Sequence, residues 1–173
     1  MGVNEVALGL TIGIAAFTDW RNNKIYNLLL FPAFLIALIL HMSQGGIAGL
    51  LFSLEGAAIG FLLLLFPYLL GGMGAGDVKF LSVIGAFGGV HFVIGSFLYG
   101  AVIGALISIG LLLRNKALLQ TLKHFLGFLP IFPNYLEFND TTIKARREKF
   151  PYGIALASGT LILMLLSRGG GWL

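Results

Sequence analysis

The stretch VKFLSVIGAFGGVHFVIGSFLYGAVIGALISIGLLL, residues 78–113, decides the fold class of this chain. Its only acidic or basic side chains are Lys79 and His91, and the rest is almost entirely apolar. One membrane-spanning helix takes about 20 residues, so the stretch is too long for a single span and short for two full ones. We therefore predict a short helix and a longer one, joined by a tight turn at residues 88–91; a turn at Gly95-Ser96 is the alternative.

The rest of the sequence has the same apolar character. The chain has 173 residues, of which 58% are hydrophobic and 10% charged, and its mean hydropathy is +0.95. Ordinary soluble domains carry about 25% charged residues, so the composition excludes a water-soluble globule and a disordered chain. The length favours one domain. The sequence has no cysteine, which excludes disulfides, thiolate metal sites and a cysteine nucleophile.

Charged, polar and glycine-rich stretches separate six apolar segments of the sequence. We predict an all-α, polytopic membrane helix bundle with about six transmembrane helices, forming a single domain over residues 1–173. Between the last two spans, residues 114–150 are polar and basic around a semi-apolar patch, and we expect this segment to lie at the membrane interface. The predicted spans are 3–17, 25–42, 47–70, 77–88, 92–113 and 151–167.

The basic residues predict the orientation of these spans. Ten of the eleven lysines and arginines fall in or directly beside the connections after spans one, three and five, and only Arg168 falls on the other side. Because cytoplasmic loops carry an excess of Lys and Arg, this side is predicted to be cytoplasmic and both termini to lie outside. The net charge of +4 then reflects topology rather than nucleic-acid binding. The ten residues are Arg21, Lys24, Lys79, Arg114, Lys116, Lys123, Lys144, Arg146, Arg147 and Lys149.

Two of the seven acidic residues are candidates for catalysis. An acidic side chain at membrane depth is energetically unfavourable and marks function by default, and Asp19 and Asp77 both lie at predicted cytoplasmic ends of spans. Two carboxylates in a poorly solvated cleft share one proton. One can then act as a base on water while the other donates to the carbonyl under attack. We therefore predict a catalytic pair, Asp19 and Asp77, with no metal site and no cofactor for proteolysis.

Three short motifs resemble the type IV prepilin peptidases and their archaeal preflagellin relatives, a family of GxGD aspartic membrane peptidases. GAGDVK at residues 74–79 is similar to the GxGD-x-K signature that carries one catalytic Asp of the family. Asp19 lies six residues before IYN at 25–27, where the family has Ile-Pro-Asn six residues after its other catalytic Asp. FPYG at 150–153 resembles the Pro-aromatic-Gly at the start of the family's last span. The resemblance marks as supporting residues Gly74, Gly76, Lys79, Asn27 and Pro151.

The resemblance implies an activity. It implies an endopeptidase in the prokaryotic cytoplasmic membrane that removes the basic leader from pilin-like or archaellin-like precursors at the cytoplasmic face. The implied partners are such a precursor, with its hydrophobic N-terminal helix, and membrane lipid, but no nucleic acid. Longer members also methylate the new amino terminus with S-adenosylmethionine and carry a cysteine-containing zinc domain. Without cysteine, this chain is similar to the short forms that serve tight-adherence (Flp) pili or archaeal-type filaments, and it needs S-adenosylmethionine only if methylation is retained.

Other interpretations of the acidic residues stay open. Glu55 lies within the predicted span 47–70, where it pairs with a polar group of a neighbouring helix, stays protonated or contacts substrate. A small proton- or cation-coupled transporter would use Asp19, Glu55 and Asp77 along its path. A non-catalytic assembly scaffold would tolerate Asp→Asn at both positions. Because Asp19 and Asp77 fall at the same predicted boundary, we favour the peptidase.

Several expectations concern the surroundings of the two aspartates. We interpret Lys79 as an anchor at the lipid headgroups, and Asn27 as a side chain that either orients Asp19 or caps the second span. Gly100 and Gly104, at GxxxG spacing, predict close helix packing. Residues expected as interfacial aromatics are Trp20, Tyr26, Tyr68 and Tyr152.

Overall fold

The structure, a computed structural model, describes residues 2–22, 24–114 and 152–167. Every secondary-structure element in these residues is an α-helix, which confirms the all-α prediction for the described part of the chain. Most of the predicted basic segment 114–150 lies outside the described residues, as does Pro151. The four helices are α1 (Val3–Asn22), α2 (Asn27–Leu69), α3 (Ala75–Arg114) and α4 (Tyr152–Ser167).

The two long helices α2 and α3 are each interrupted at one glycine. Gly46 has φ 57° and ψ −137°, and Gly89 has φ 73° and ψ −173°. Glycine adopts positive φ without the steric penalty of a Cβ atom, so the helix breaks at these two points. The break in α3 therefore lies at Gly89, whereas residues 95–96 belong to uninterrupted helix.

The helices α2 and α3 are long and apolar enough to cross a membrane. The most apolar 18-residue window has a mean hydropathy of 2.1 in α2 and 2.2 in α3, and only 28% of each window is buried inside the protein. A core helix of a soluble protein would be mostly buried, so apolar side chains that face outward fit a lipid environment. The number of spans and the positions of the termini stay predictions.

Small residues bring the second part of α2 against the first part of α3. A Cβ atom on Gly56 would meet the carbonyl oxygen of Gly85, and one on Gly85 would meet that of Gly56. Ser82 Oγ also donates a hydrogen bond to the carbonyl of Ala57 at 2.9 Å. Such close backbone approach and side-chain hydrogen bonding are typical of helix packing in membranes.

Two carbonyls in the last turn before the break in α3 bond to side chains of α2. Ser53 Oγ donates to the carbonyl of Ala86 at 2.7 Å, and His41 Nε2 lies 3.0 Å from the carbonyl oxygen of Phe87. A carbonyl only accepts, so Nε2 carries the proton in this contact. The last carbonyls of a helix lack partners within the helix, and α2 therefore stabilises the end of residues 75–88.

The helix α1 packs against α2 and α4, and α4 also packs against α3. A Cβ atom on Gly100 would lie 2.9 Å from Leu156 Cδ2, and one on Gly104 would lie 3.2 Å from Tyr152 Cε2. Gly159 of α4 meets the backbone of Gly100 in the same way. The close packing predicted from the GxxxG spacing is thus confirmed.

The chain divides into two compact units. One comprises Met1–Gly104 with Pro151–Leu173, and the other comprises Ala105–Phe150. All the residues discussed below belong to the first unit.

Candidate active site

Asp19 lies near the end of α1 and is held by the first turn of α4. Its carboxyl Oδ2 accepts a hydrogen bond from the backbone N–H of Ile154 at 3.0 Å, and the amide of Gly153 also bonds to this carboxyl group. The first N–H groups of a helix have no partner within the helix and favour a negative charge beside them. Only 5% of Asp19 is exposed, so these amides replace the water that would otherwise solvate the carboxylate.

Gly153 has no room for a side chain. A Cβ atom at this position would lie 2.7 Å from Asp19 Oδ2 and 2.8 Å from Ile25 Cδ1. Any larger residue would therefore push the start of α4 away from Asp19. The close contact with the Asp19 carboxylate thus explains why the FPYG motif at 150–153 ends in glycine.

Asp77 lies in the first turn of α3 and bonds to the residue just before this helix. Its Oδ2 accepts a hydrogen bond from the N–H of Gly74 at 3.2 Å, while its own N–H donates to the carbonyl of Gly74 at 3.1 Å. This reciprocal arrangement corresponds to the N3 half of a capping box. Asp77 is half-buried, and its carboxyl group is thereby fixed at the N-terminus of α3.

The two carboxyl groups lie within range of a direct electrostatic interaction. Ile25, in the connection between α1 and α2, links their surroundings. Its Cβ lies 3.4 Å from the position of a Cβ on Gly76, and its Cδ1 lies against Gly153. The end of α1 and the starts of α3 and α4 thus converge, and each contributes to a junction with two acidic side chains.

Tyr152 is a residue of this junction that sequence reasoning missed. The prediction of an interfacial aromatic is wrong for Tyr152, which is only 8% exposed, whereas Trp20 is 73% exposed. The Tyr152 ring packs against Gly104, and the side chain interacts electrostatically with Asp77. The burial of Tyr152 could have been predicted from helical spacing. Tyr152 lies on the same face of α4 as Ala155, Leu156 and Gly159, and this face is buried.

Asn27 and Lys79 bond to each other rather than to the aspartates. Lys79 Nζ donates to Asn27 Oδ1 at 3.1 Å, and both side chains are exposed. Neither predicted role of Asn27 is observed: Tyr26 occupies the N-cap position of α2 without a side-chain cap, and Asn27 Oδ1 accepts from Lys79. Headgroup anchoring by Lys79 stays a prediction.

Glu55 lies away from the aspartates. Its side chain is exposed, on the face of α2 opposite the buried Ser53, Gly56 and Ala57, and it forms no hydrogen bond or ion pair with the described residues. The neighbouring Gly56 contacts Gly85, which is eight residues, or about 12 Å, along α3 from Asp77. The structure therefore brings Asp19 and Asp77 together without Glu55. Within the described residues, no group of three His, Asp or Glu side chains is arranged to hold a metal ion.

Comparison with known proteins gives one significant match. A family model described as the type IV leader peptidase family matches residues 6–109, which is more than half of the chain. The matched range contains Asp19, the connection at 24–26 and the GAGDVK motif, and it ends before α4. No curated protein and no solved structure gives a significant match.

Proposed function

This chain belongs to the type IV leader peptidase family, and we propose that it is a membrane aspartic endopeptidase with Asp19 and Asp77 as its catalytic pair. The family identifies a protease, and it implies pilin-like precursors as the substrates. The observation that carries the proposal is the convergence of the starts of α3 and α4, where each start holds one carboxyl group through backbone N–H groups and the two carboxyl groups interact electrostatically.

The pair holds one proton in the resting enzyme, since two adjacent carboxylates in a poorly solvated site do not both ionise readily. The ionised member removes a proton from water, and the water oxygen attacks the carbonyl carbon of the scissile peptide bond. The protonated member gives its proton to the carbonyl oxygen, forming a neutral tetrahedral intermediate. As the C–N bond breaks, the nitrogen takes a proton from the first member and the second recovers its own, releasing the leader and a new amino terminus.

The bonds to backbone amides give each carboxyl group a defined position. Asp19 is bound through Oδ2 to the first turn of α4, and Asp77 through Oδ2 to Gly74. A carboxyl group fixed by one oxygen offers the other to water or substrate with little rotational freedom. This preorganisation lowers the entropy lost on reaching the transition state.

We propose a six-span topology with the active site at the cytoplasmic face of a prokaryotic cytoplasmic membrane. Arg21, Lys24 and Lys79 all lie near the aspartates in sequence, and an excess of basic residues marks the cytoplasmic side. A basic leader would be attracted by the carboxylates and repelled by these cations, which therefore serve as topology markers. We propose Flp-type or archaellin-like precursors as the substrates. Proteolysis needs no cofactor, and S-adenosylmethionine would be used only by a retained methyltransferase activity.

The test is coexpression of the full chain with a candidate prepilin, followed by a gel shift of the precursor. Asp19→Asn and Asp77→Asn are each expected to abolish processing, because an amide can neither take a proton from water nor give one to the carbonyl oxygen. Glu5→Gln is the matched control, since it makes the same change in α1 about 21 Å from Asp19, and it should process normally.

The outcome separates the proposal from its alternatives. Processing at the wild-type rate by either Asn variant would exclude the two-aspartate mechanism and favour the non-catalytic scaffold. A transporter would show proton or cation flux that depends on Glu55 as well as the two aspartates. The mass of the mature amino terminus independently reports methylation.

A further inference from the structure

Ile25 occupies the space between the starts of α3 and α4. It belongs to the short connection between α1 and α2 and is half-buried. The Cβ end of its side chain lies 3.4 Å from the position of a Cβ on Gly76, and the Cδ1 end lies 2.8 Å from that of a Cβ on Gly153. The full length of one side chain therefore separates these two glycines.

Each of the two glycines adjoins one carboxyl group. Gly76 directly precedes Asp77, and the Cβ position of Gly153 is 2.7 Å from Asp19 Oδ2. A change in the size of residue 25 would therefore move one glycine relative to the other. The carboxyl groups would move with the glycines, because Asp77 is bonded to the backbone at the start of α3 and Asp19 to the backbone at the start of α4.

Two hydrogen bonds hold the connection that carries Ile25. On one side, Asn22 Nδ2 donates to the hydroxyl of Tyr26 at 3.1 Å, which joins the connection to the end of α1. On the other, Lys79 donates to Asn27 at 3.1 Å, which joins the start of α2 to the second turn of α3. Ile25 lies between Asn22 and Asn27 in the sequence, so these two hydrogen bonds restrain the segment that carries it.

We propose that Ile25 is a positioning residue that sets the separation of Asp19 and Asp77, and that the Lys79–Asn27 hydrogen bond holds it in place. The proposal rests on the two-aspartate mechanism above. One water molecule must reach both carboxyl groups, so a displacement of about 1 Å reduces the rate by about 100-fold. A β-branched side chain suits this role because its χ1 angle is stiff.

The test is a series of substitutions in the purified full chain, assayed on a prepilin substrate. Ile25→Val removes the Cδ1 methyl that reaches Gly153 and keeps the branched Cβ beside Gly76. Ile25→Ala removes both branches beyond Cβ. We expect kcat to fall about 10-fold for Val and about 100-fold for Ala, with KM unchanged within about two-fold. Leu28→Ala is the control, because Leu28 lies three residues away and is 87% exposed.

The pH profile of kcat distinguishes positioning from a loss of folded protein. The two limbs of the profile report titrations that belong to the pair, and their separation depends on how strongly the carboxyl groups interact. A changed distance between the aspartates should therefore change the width of the profile in Ile25→Ala relative to the wild type. Unfolding alone would scale the profile down without changing its width.

A double-mutant cycle tests the hydrogen bond. Asn27→Ala and Lys79→Met should each lower kcat, and the double variant should lose no more than the larger single loss. Additive losses would overturn the role given to this bond.

The outcomes also separate this inference from the proposed function. Wild-type kcat and an unchanged pH profile in Ile25→Val and Ile25→Ala, together with inactive Asp→Asn variants, would overturn the role of Ile25 and leave the catalytic pair intact. Active Asp→Asn variants would overturn both. A fall in kcat that merely follows the folded fraction, with the pH profile unchanged in width, would also contradict positioning.

Discussion

In two regions of the molecule, backbone groups at helix ends that lack partners within the helix bond to side chains, but the side chains differ in chemistry. At the aspartate end, formed by Asp19, Ile25, Asp77 and Gly153, the free N–H groups at helix starts bond to carboxyl groups. At the glycine-break end, formed by His41, Ser53 and Gly89 with the turn before it, free carbonyls bond to a hydroxyl and an imidazole.

The polarity of the helix explains the difference between these ends. Helix N-termini present N–H groups and favour anions, whereas C-termini present carbonyls that need donors. Capping the starts of α3 and α4 therefore brings two acidic side chains together. Capping the end of residues 75–88 instead brings two hydrogen-bond donors together, the hydroxyl of Ser53 and the imidazole of His41. The groups proposed for catalysis are thus also structural caps, and the two roles are separable by substitution.

The largest expected effect separates these two roles at Asp19. Asp19→Asn removes one of the two carboxyl groups that transfer protons and keeps an oxygen that accepts from Ile154, so we expect processing to fall by about 10²- to 10⁴-fold with stability little changed. Asp19→Ala removes the acceptor as well, and it should lose about 1 kcal/mol of stability in addition. Thermal unfolding in detergent beside the processing assay measures both. Equal stability of the two variants would contradict the capping role.

The next effect is expected at Gly153. Gly153→Ala places a methyl group against Asp19 Oδ2 and Ile25 Cδ1, so the start of α4 must shift, and kcat should fall about 100-fold. Gly13→Ala is the matched control in α1, where an added Cβ meets nothing within 4 Å. Comparable activity of the two alanine variants would show that contact between α4 and Asp19 is not required.

The smallest effect on activity is expected at the glycine-break end. Ser53→Ala leaves the carbonyl of Ala86 without its hydroxyl donor in a buried site, and we expect a loss of about 1–3 kcal/mol in stability. Because Ala86 is nine residues, or about 14 Å, along α3 from Asp77, kcat per folded enzyme should stay within about two-fold. Ser43→Ala, at an exposed serine bonded within its own helix, provides the comparison. A large fall in kcat for Ser53→Ala would show that the two ends are coupled.

Much of the aspartate end was predictable because acidic residues are rare in this chain. Only seven acidic residues occur, and two of them fall at one predicted boundary with family motifs around them. Tyr152 was misjudged because an aromatic beside a predicted span end usually faces lipid headgroups. Its burial depends on packing against Gly104, which is distant in sequence. The partner of Asn27 was missed for the same reason, since Lys79 lies 52 residues away.

Composition and hydropathy alone predicted that this chain is helical and apolar, and the sequence shows where its scarce charges fall, but the structure decided between the two candidate breaks in α3. These properties are local, because each depends on the transfer of side chains from water and on the backbone freedom of individual residues. Only the tertiary structure decided that Asp19 bonds to an amide 135 residues away and that Ile25 separates two glycines beside the carboxyl groups. Such contacts depend on how helices cross, and helix crossing is set by the joint packing of residues that are far apart in the sequence.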